Sequence, residues 1–313
     1  MCAFEGSTPR ALVFAAGLGT RLKPLTDTMP KALVPVSGRP LLDHVLRKLQ
    51  AAGVREAVVN VHHFADRIIG WLAAHPVEGL SVAVSDERDF LRETGGGIRY
   101  AEPLLLSGPK APTGRPEGRF LVHNVDILSN LDLCRFASQA PADALATLAV
   151  SDRKTQRYFL FKEEDSVSEA AAGCRGNAPS APVVRPDGPD PLLPVSPSPR
   201  LRLVGWTNVA TGEVRTPFPD LDVSACRKLA FSGIHLISNR IFDVFREYDT
   251  YDPSAVGPAP LGERFSITDF YLRVCAEYPI YGIVPPDFRM IDVGKLDTLA
   301  AAEDFLRCEG REV

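Results

Sequence analysis

Two glycines and two cations near the start of the chain could together bind phosphate groups. Gly17 and Gly19 follow an apolar run, residues 11–16, and Arg21 and Lys31 come after them on the same excursion of the chain. Glycine lets the backbone approach a ligand closely and turn successive N–H groups toward it. A guanidinium can hold two phosphate oxygens as a fork, whereas an ammonium acts as a point charge. The segment therefore predicts a polyphosphate-binding loop, although a tight turn would also explain Gly-x-Gly.

Neither of the common nucleotide motifs accounts for this loop. The dinucleotide fingerprint requires a third glycine where Leu22 stands, and the Gly-Lys-Ser/Thr of the Walker loop is absent. A different class of phosphate-binding loop is therefore indicated.

One aspartate after a predicted strand is a candidate for contacting a ligand. Asp126 ends the apolar run 120–126, which predicts a buried strand. Ligands of open α/β sheets gather beyond the carboxyl ends of strands, so Asp126 is expected beside the glycine loop. A lone aspartate after a strand is also typical of a turn or a helix cap.

The elements that must position these residues alternate between strand and helix patterns. Strand-like runs cover residues 11–16, 56–61, 80–84, 120–126 and 144–150, and helix-like runs cover 40–52, 65–74 and 98–106. The alternation predicts an α/β fold with a parallel sheet. Further along, a β-hairpin is predicted from 201–205 and 213–215, and helices from 239–248, 267–278 and 295–306.

Composition bounds the class of protein. The chain has 313 residues, 45% hydrophobic and 24% charged, with a net charge of -4, which argues against a general nucleic-acid binder. No apolar run is long enough for a membrane span, and the N-terminus does not resemble a secretory signal. The six cysteines are scattered without a CxxC pair, which makes a disulfide or metal framework improbable. We therefore expect a cytoplasmic protein, a monomer or homodimer, with neither nucleic-acid nor membrane partners.

The glycine loop resembles the signature of the sugar-1-phosphate nucleotidylyltransferases, also called nucleotide-sugar pyrophosphorylases. The resemblance rests on GLGTRLKPLT at residues 17–26 and PKALVPV at residues 30–36. It implies the Rossmann-like nucleotide-diphospho-sugar transferase fold, an α/β fold with a mixed, mainly parallel sheet flanked by helices. It further implies that the substrates are a nucleoside triphosphate and a sugar 1-phosphate. It also implies that Arg21 holds the pyrophosphate portion and Lys31 contacts the phosphates. The residues implied to wrap the nucleotide are Ala15, Ala16, Gly17, Leu18, Gly19 and Thr20.

The same resemblance implies a magnesium site and a sugar site. Asp126 and Asp292 would bind Mg²⁺, although Val125 stands where the family usually has glycine and Met290 replaces an aromatic residue. Residues 231–234 fit a stretch that lines the sugar pocket of relatives. The implied sugar-binding residues are Asn124, Ser232, Gly233 and Asp269, and Asp269 could equally cap or decorate its own helix.

The string ETGGG at residues 93–97 bears on the choice of substrate. We predict it as a loop ahead of the helix at 98–106, where Thr94, Gly95 and Gly96 form a floor for the base and ribose; a loose helix entry is the alternative. It resembles a subset of the family that includes uridylyltransferases for N-acetylmuramate 1-phosphate and guanylyltransferases for mannose or heptose 1-phosphate. The resemblance therefore favours UTP with N-acetylmuramate 1-phosphate over GTP with mannose or heptose 1-phosphate. Residues 86–88 could meet a base edge or simply face water.

The domain organisation is predicted as one nucleotidyltransferase domain over residues 1–313. It would comprise a nucleotide half at 10–150, a variable insertion at 151–228 with a proline-rich loop at 176–200, and a sugar half with the C-terminal helix at 229–313. Two other functions stay open: a cytidylyltransferase acting on another phosphate acceptor, and a non-catalytic sensor of nucleotide sugars. The sensor is disfavoured because the glycine loop, both cations and both aspartates are intact.

Overall fold

A central sheet with helices on both faces organises the protein in the computed structural model, which describes residues 9–107, 118–164, 199–249 and 260–310. The strands are β1 (Arg10–Phe14), β2 (Pro35–Val36), β3 (Arg39–Pro40), β4 (Glu56–Val61), β5 (Ser81–Asp86), β6 (Arg119–Asn124), β7 (Ile127–Ser129), β8 (Ala146–Ser151), β9 (Arg157–Glu164), β10 (Arg200–Asn208), β11 (Glu213–Arg215), β12 (Arg227–Ser238), β13 (Ile280–Ile283) and β14 (Met290–Asp292). The helices are α1 (Leu25–Thr28), α2 (Leu41–Ala51), α3 (Ala65–Ala74), α4 (Glu93–Tyr100), α5 (Glu102–Leu105), α6 (Leu133–Ser138), α7 (Ile241–Asp249), α8 (Ile267–Val274) and α9 (Asp297–Cys308). Short 3₁₀ turns cover Thr20–Leu22, Lys31–Leu33 and Val223–Ala225.

Over the described ranges, the main sheet has ten strands in the order β11-β10-β13-β8-β12-β6-β1-β4-β5, with β9 paired to both β10 and β12. Strands β6, β1, β4 and β5 run parallel, as alternation of strand and helix requires. The long strand β12 runs antiparallel to β6, β8 and β9, and the pairings of β10 are antiparallel as well. The predicted mixed α/β sheet is confirmed, but it is not mainly parallel throughout: apart from β6, β1, β4 and β5, the parallel pairing found in the described residues is that of β13 with β8.

Apolar periodicity explains most of the local structure. Helix α2 buries Leu42, Val45, Leu46 and Leu49 on one face, and β4 is buried over five of its six residues. The buried side chains form two large clusters, one containing Leu46 and the other containing Phe120. The predicted hairpin is confirmed, because β10 and β11 pair antiparallel around a turn.

The glycine run at 95–97 is the clearest wrong prediction. It lies inside helix α4 rather than in a loop ahead of a helix at 98–106. A Cβ on Gly95 would lie 2.3 Å from the Phe265 ring, and one on Gly96 would lie 2.3 Å from the Glu263 carbonyl oxygen. Close packing against residues 263–265 therefore requires glycine within the helix, at a cost in helix propensity of about 1 kcal/mol per residue.

Most of the proline-rich stretch predicted as a loop at 176–200 lies outside the described residues. Within the described part of the chain, none of the helices has the length and apolarity needed to cross a membrane.

Candidate active site

The glycine loop follows β1 and is fixed by its own backbone and by one threonine. Gly19 has a φ of 63°, and a Cβ there would lie 2.9 Å from Cγ2 of Thr26 and 3.0 Å from Cβ of Lys31. The Thr26 hydroxyl donates to the Gly19 carbonyl at 2.8 Å, and the Leu22 amide donates to the same carbonyl at 2.9 Å. The left-handed conformation and the crowding both exclude larger residues at this turn.

Three parallel strands deliver polar residues to the same edge as the loop. Phe14 pairs in register with Asn60 of β4 on one side and with Asn124 of β6 on the other. The side-chain oxygen of Asn60 accepts hydrogen bonds from the Ala15 amide at 2.7 Å and the Ala16 amide at 3.2 Å. The start of the loop is therefore tied to the neighbouring strand rather than free to move.

The two aspartates are brought together by a small antiparallel ladder. Strand β14 pairs with β7 so that Asp292 faces Ile127, and the Val293 amide donates to the Asp126 carbonyl at 2.8 Å. The Asp126 carboxylate forms an ion pair with Lys31, whose side chain is only 10% exposed. Sequence positions far apart are thus held as one acidic pair beside the cationic loop.

The surroundings of Asp292 disfavour the charged form of its carboxyl group. Burial raises its pKa, and the charge of Asp126 raises it further, against the opposing effects of Lys31 and Arg21. Its Oδ1 atom is buried and has no hydrogen-bond partner within the described residues. A Cβ on Gly294 would lie 2.8 Å from that oxygen and 3.0 Å from Nη2 of Arg21, so this glycine leaves room for both groups.

A cavity of about 580 Å³ lies between the glycine loop and Asp126, and Asp292, which lies behind Asp126 and Gly294, is not part of its wall. Its wall contains the six predicted loop residues, the two predicted cations and three further predicted site residues. These are Ala15, Ala16, Gly17, Leu18, Gly19, Thr20, Arg21, Lys31, Thr94, Asn124 and Asp126. A volume in this range suits a nucleotide-sized ligand.

The donor set suits a hard divalent cation that also binds phosphate. The described residues contain no group of three His, Cys, Asp or Glu side chains that could hold a metal by themselves. Mg²⁺ is usually held by one or two carboxylates together with substrate phosphates and water, so two aspartates are sufficient. The orphaned Oδ1 of Asp292 is the kind of oxygen that such a cation would satisfy.

Several predicted ligand-binding residues lie outside the wall of this cavity. The amides of Gly95 and Gly96 donate to the Phe265 carbonyl at 2.9 and 3.2 Å, so neither offers its N–H to a nucleotide. Ser232 is buried and donates to the Ala149 carbonyl at 2.7 Å. Of the three residues predicted as a floor for the base, Gly95 and Gly96 therefore hold helix α4 against residue 265, whereas Thr94 lines the cavity.

The remaining sugar-site predictions divide between packing and the surface. Gly233 has a φ of 76°, and a Cβ there would lie 2.6 Å from Nδ2 of Asn124, so it lies directly behind a cavity residue. Asp269 forms an exposed ion pair with Arg215 at 2.7 Å, which links helix α8 to strand β11. That contact favours the alternative in which Asp269 decorates its own helix.

The cavity wall also contains residues that the sequence motifs do not indicate, Phe14, Asn60 and Ser266, and Glu87, whose role the sequence leaves open. Glu87 lines the cavity, whereas its neighbours Asp86 and Arg88 pair with each other at the surface. The available signal was positional, because Asn60 and Glu87 lie at the carboxyl ends of parallel strands, where ligands gather.

The fold and this site define the class: an α/β fold with a glycine loop, two cations and two aspartates at one edge of the sheet. Residues 11–162 match the family model of the MobA-like NTP transferase domain.

Individual relatives agree with the class. The chain is 54% identical over 101 residues to an N-acetylmuramate alpha-1-phosphate uridylyltransferase of Caulobacter vibrioides, covering 32% of this chain and 42% of that protein. It is 30% identical over 145 residues to a mannose-1-phosphate guanyltransferase of Candida albicans, covering 46% of this chain and 38% of that protein. The alignments thus span less than half the length of these curated relatives.

The likeness in fold extends over nearly the whole chain. A solved UDP-glucose pyrophosphorylase complexed with UDP-glucose superposes with a TM-score of 0.63 at 15% identity, covering 97% of this chain and 100% of that one. The described residues beyond 162, which lie outside the family match, therefore belong to the same overall fold as that solved structure.

Proposed function

We propose that this protein transfers a nucleotidyl group from a nucleoside triphosphate to a sugar 1-phosphate, with UTP and N-acetylmuramate 1-phosphate as the substrates. The observation that carries the proposal is the convergence of Arg21, Lys31, Asp126 and Asp292 around one glycine loop. The similarity to the Caulobacter uridylyltransferase over 101 residues supports the choice of base and sugar.

In the proposed reaction an oxygen of the sugar phosphate attacks the α-phosphorus of the triphosphate. The bond between the α-phosphorus and its bridge to the β-phosphate breaks, and pyrophosphate leaves without a covalent protein intermediate. The nucleophile is already anionic near neutral pH, so little general-base chemistry is required. The protein must instead bring two anions together and offset their repulsion.

The residues of the site divide this work. Arg21, exposed at the mouth of the loop and close to Gly294, would hold the leaving pyrophosphate as a fork. Lys31, buried beside Asp126, would support the transferring phosphate at a fixed position. The amides of Ala15 and Ala16 are oriented by Asn60, which keeps this stretch of the loop preorganised.

Mg²⁺ would be held by Asp126 and Asp292 and would neutralise phosphate charge during transfer. Its arrival would also relieve the acidic pair, because Asp292 carries a raised pKa and an unpartnered oxygen within the described part of the protein.

The test is product formation by the purified protein. UTP and N-acetylmuramate 1-phosphate with Mg²⁺ should yield the UDP-sugar and an equal amount of pyrophosphate, and EDTA should abolish both. Glucose, N-acetylglucosamine, mannose and heptose 1-phosphates with all four nucleoside triphosphates serve as the comparison panel. Absence of product from every pair, with nucleotide binding intact, would contradict the proposal and favour a sensor.

A second candidate, guanylyl transfer from GTP to mannose 1-phosphate, is favoured by the similarity to the Candida guanyltransferase. The same panel separates the two, because product formed with GTP and not with UTP would select the second.

A further inference from the structure

Each cation of the site lies beside one of the two carboxylates. Lys31 forms an ion pair with Asp126, and both residues lie on the wall of the cavity. Arg21 and Asp292 are neighbours across Gly294, since a Cβ on that glycine would approach the guanidinium and the carboxylate together. The two positive charges that would attract phosphate are therefore offset by two negative charges in the same place.

The backbone beneath Lys31 is fixed, whereas its side chain is long enough to turn. Lys31 begins a 3₁₀ turn, and the Val34 amide donates to its carbonyl at 3.1 Å. A Cβ on Gly19 would lie 3.0 Å from Cβ of Lys31, so the base of the stem packs against the glycine loop. Beyond that anchored Cβ the ammonium is carried by a flexible chain of methylene groups. It can therefore change partners without any movement of the backbone.

The acidic pair is held in place by backbone hydrogen bonds. The Val125 amide donates to the Phe14 carbonyl at 3.2 Å, and the Val293 amide donates to the Asp126 carbonyl at 2.8 Å. The ladder of β7 and β14 brings Asp292 to the same point, and its buried Oδ1 has no hydrogen-bond partner within the described ranges. A cation that binds both aspartates therefore finds them already together, with the Lys31 ammonium on one of them.

We propose that Lys31 and the divalent cation are alternative partners of Asp126, so that binding of the cation releases the ammonium toward the phosphates of the nucleotide. An ammonium and a divalent cation on the two oxygens of one carboxylate repel each other at short range, and phosphate offers the ammonium a second anionic partner. The charge of Lys31 thus becomes available to phosphate only when the metal is in place. The inference rests on the proposed function only in taking a divalent cation as a component of the site.

Competition for Asp126 is measured by Mn²⁺ binding to the protein alone, followed by electron paramagnetic resonance. Lys31→Met should bind Mn²⁺ about tenfold or more tightly than wild type, because it leaves Asp126 with an uncompensated charge that the metal can satisfy. Arg21→Met removes a cation near Asp292 that is not paired with Asp126, and it should tighten binding by about threefold or less. Lys23→Met is the matched control, because Lys23 pairs with Asp27 and is 60% exposed, and it should bind Mn²⁺ as wild type does.

Release of the ammonium is measured by the reactivity of the Lys31 amine in the wild-type protein. A brief pulse of reductive methylation, read by mass spectrometry, should modify Lys31 slowly without added metal, because its side chain is 10% exposed and ion-paired. Mg²⁺ should raise the modification of Lys31 several-fold and leave that of Lys23 unchanged. Inorganic tripolyphosphate added with excess Mg²⁺ should protect Lys31 again.

Three results of the Mn²⁺ titrations would overturn the proposal. They are an affinity of Lys31→Met equal to that of wild type, an affinity no higher than that of Arg21→Met, and no Mn²⁺ binding by any form. The second is decisive, because loss of any nearby positive charge would produce equal tightening in both variants.

Unchanged methylation of Lys31 on addition of Mg²⁺ would overturn the proposal as well. That measurement uses the wild-type chain, so it remains informative if Lys31→Met does not fold. Failure of the proposed function is separable, because neither measurement contains a sugar phosphate or a nucleoside triphosphate. A protein that exchanges Lys31 for metal but yields no product with any substrate pair would contradict transfer alone.

Discussion

Replacing Lys31 by methionine should both destabilise the protein and suppress transfer. Lys31 is 8% exposed and pairs with Asp126, whose side chain is 19% exposed. Breaking a fully buried ion pair costs about 3–5 kcal/mol because it leaves a charge uncompensated. Since both groups keep some contact with solvent, we expect about 1–3 kcal/mol here, seen as a lower melting temperature without added metal or nucleotide.

The origin of that loss can be isolated by a double-mutant cycle. Asp126→Asn in the Lys31→Met background removes the charge left behind, and it should restore most of the stability. Turnover should fall by about 10² to 10³ in Lys31→Met and should stay low in the double variant, because the preorganised cation is missing from both.

Thermal unfolding and pyrophosphate release are the two assays. Lys23→Met is the matched control, because Lys23 is 60% exposed and pairs with Asp27 on the same excursion, so its loss should cost about 1 kcal/mol or less. The account of this ion pair is wrong if Lys31→Met has the same melting temperature as wild type. It is also wrong if adding Asp126→Asn to Lys31→Met does not raise the melting temperature.

Four further perturbations test the site and its supports. Arg21→Ala should lower turnover by about 10² to 10³ with little change in melting temperature, since the side chain is exposed, and Arg21→Lys should recover only part of the loss in pyrophosphate-release assays. Asp292→Asn should abolish transfer yet raise the melting temperature at neutral pH without metal, because its raised pKa marks a charge that folding disfavours; below the unfolded pKa the gain should vanish. Burial lowers the pKa of His123 to about 4, so its contribution to the free energy of unfolding should be fully present above about pH 6.5 and be lost as the pH falls toward 4. In denaturant titrations, the free energy of unfolding of His123→Gln should therefore fall less steeply with decreasing pH than that of wild type. Gly19→Ala should lower stability by about 1–3 kcal/mol and weaken nucleotide binding, because of its positive φ and its contact with Thr26.

Each has an outcome that would count against it. Near-native turnover in Arg21→Ala would remove that residue from the mechanism, and a less stable Asp292→Asn would show that folding does not disfavour the charged carboxylate. If the free energy of unfolding of His123→Gln falls with decreasing pH as steeply as that of wild type, this histidine is not the group that binds protons on unfolding. A fully stable Gly19→Ala would mean that the loop tolerates a Cβ.

The sequence by itself determined the α/β class, the glycine loop and the cations within it. These are local features. Apolar periodicity sets strands and helices such as β4 and α2. The glycine loop, Arg21 and Lys31 lie close together in the sequence, within one short segment. A resemblance carried by a contiguous string could therefore be recognised without coordinates, and Asp126 could be placed because it ends a strand.

Only the tertiary structure decided what depends on distant contacts. The pairing of β7 with β14 brings Asp292 to Asp126, and the packing of Phe265 against Gly95 turns a predicted glycine loop into a helix. The role of Glu87 was open for the same reason, because a carboxylate after a strand looks alike in sequence whether it faces water or a ligand. The burial of Glu87 and the unpartnered oxygen of Asp292 are properties of the folded chain, since they arise from neighbours that are remote in sequence.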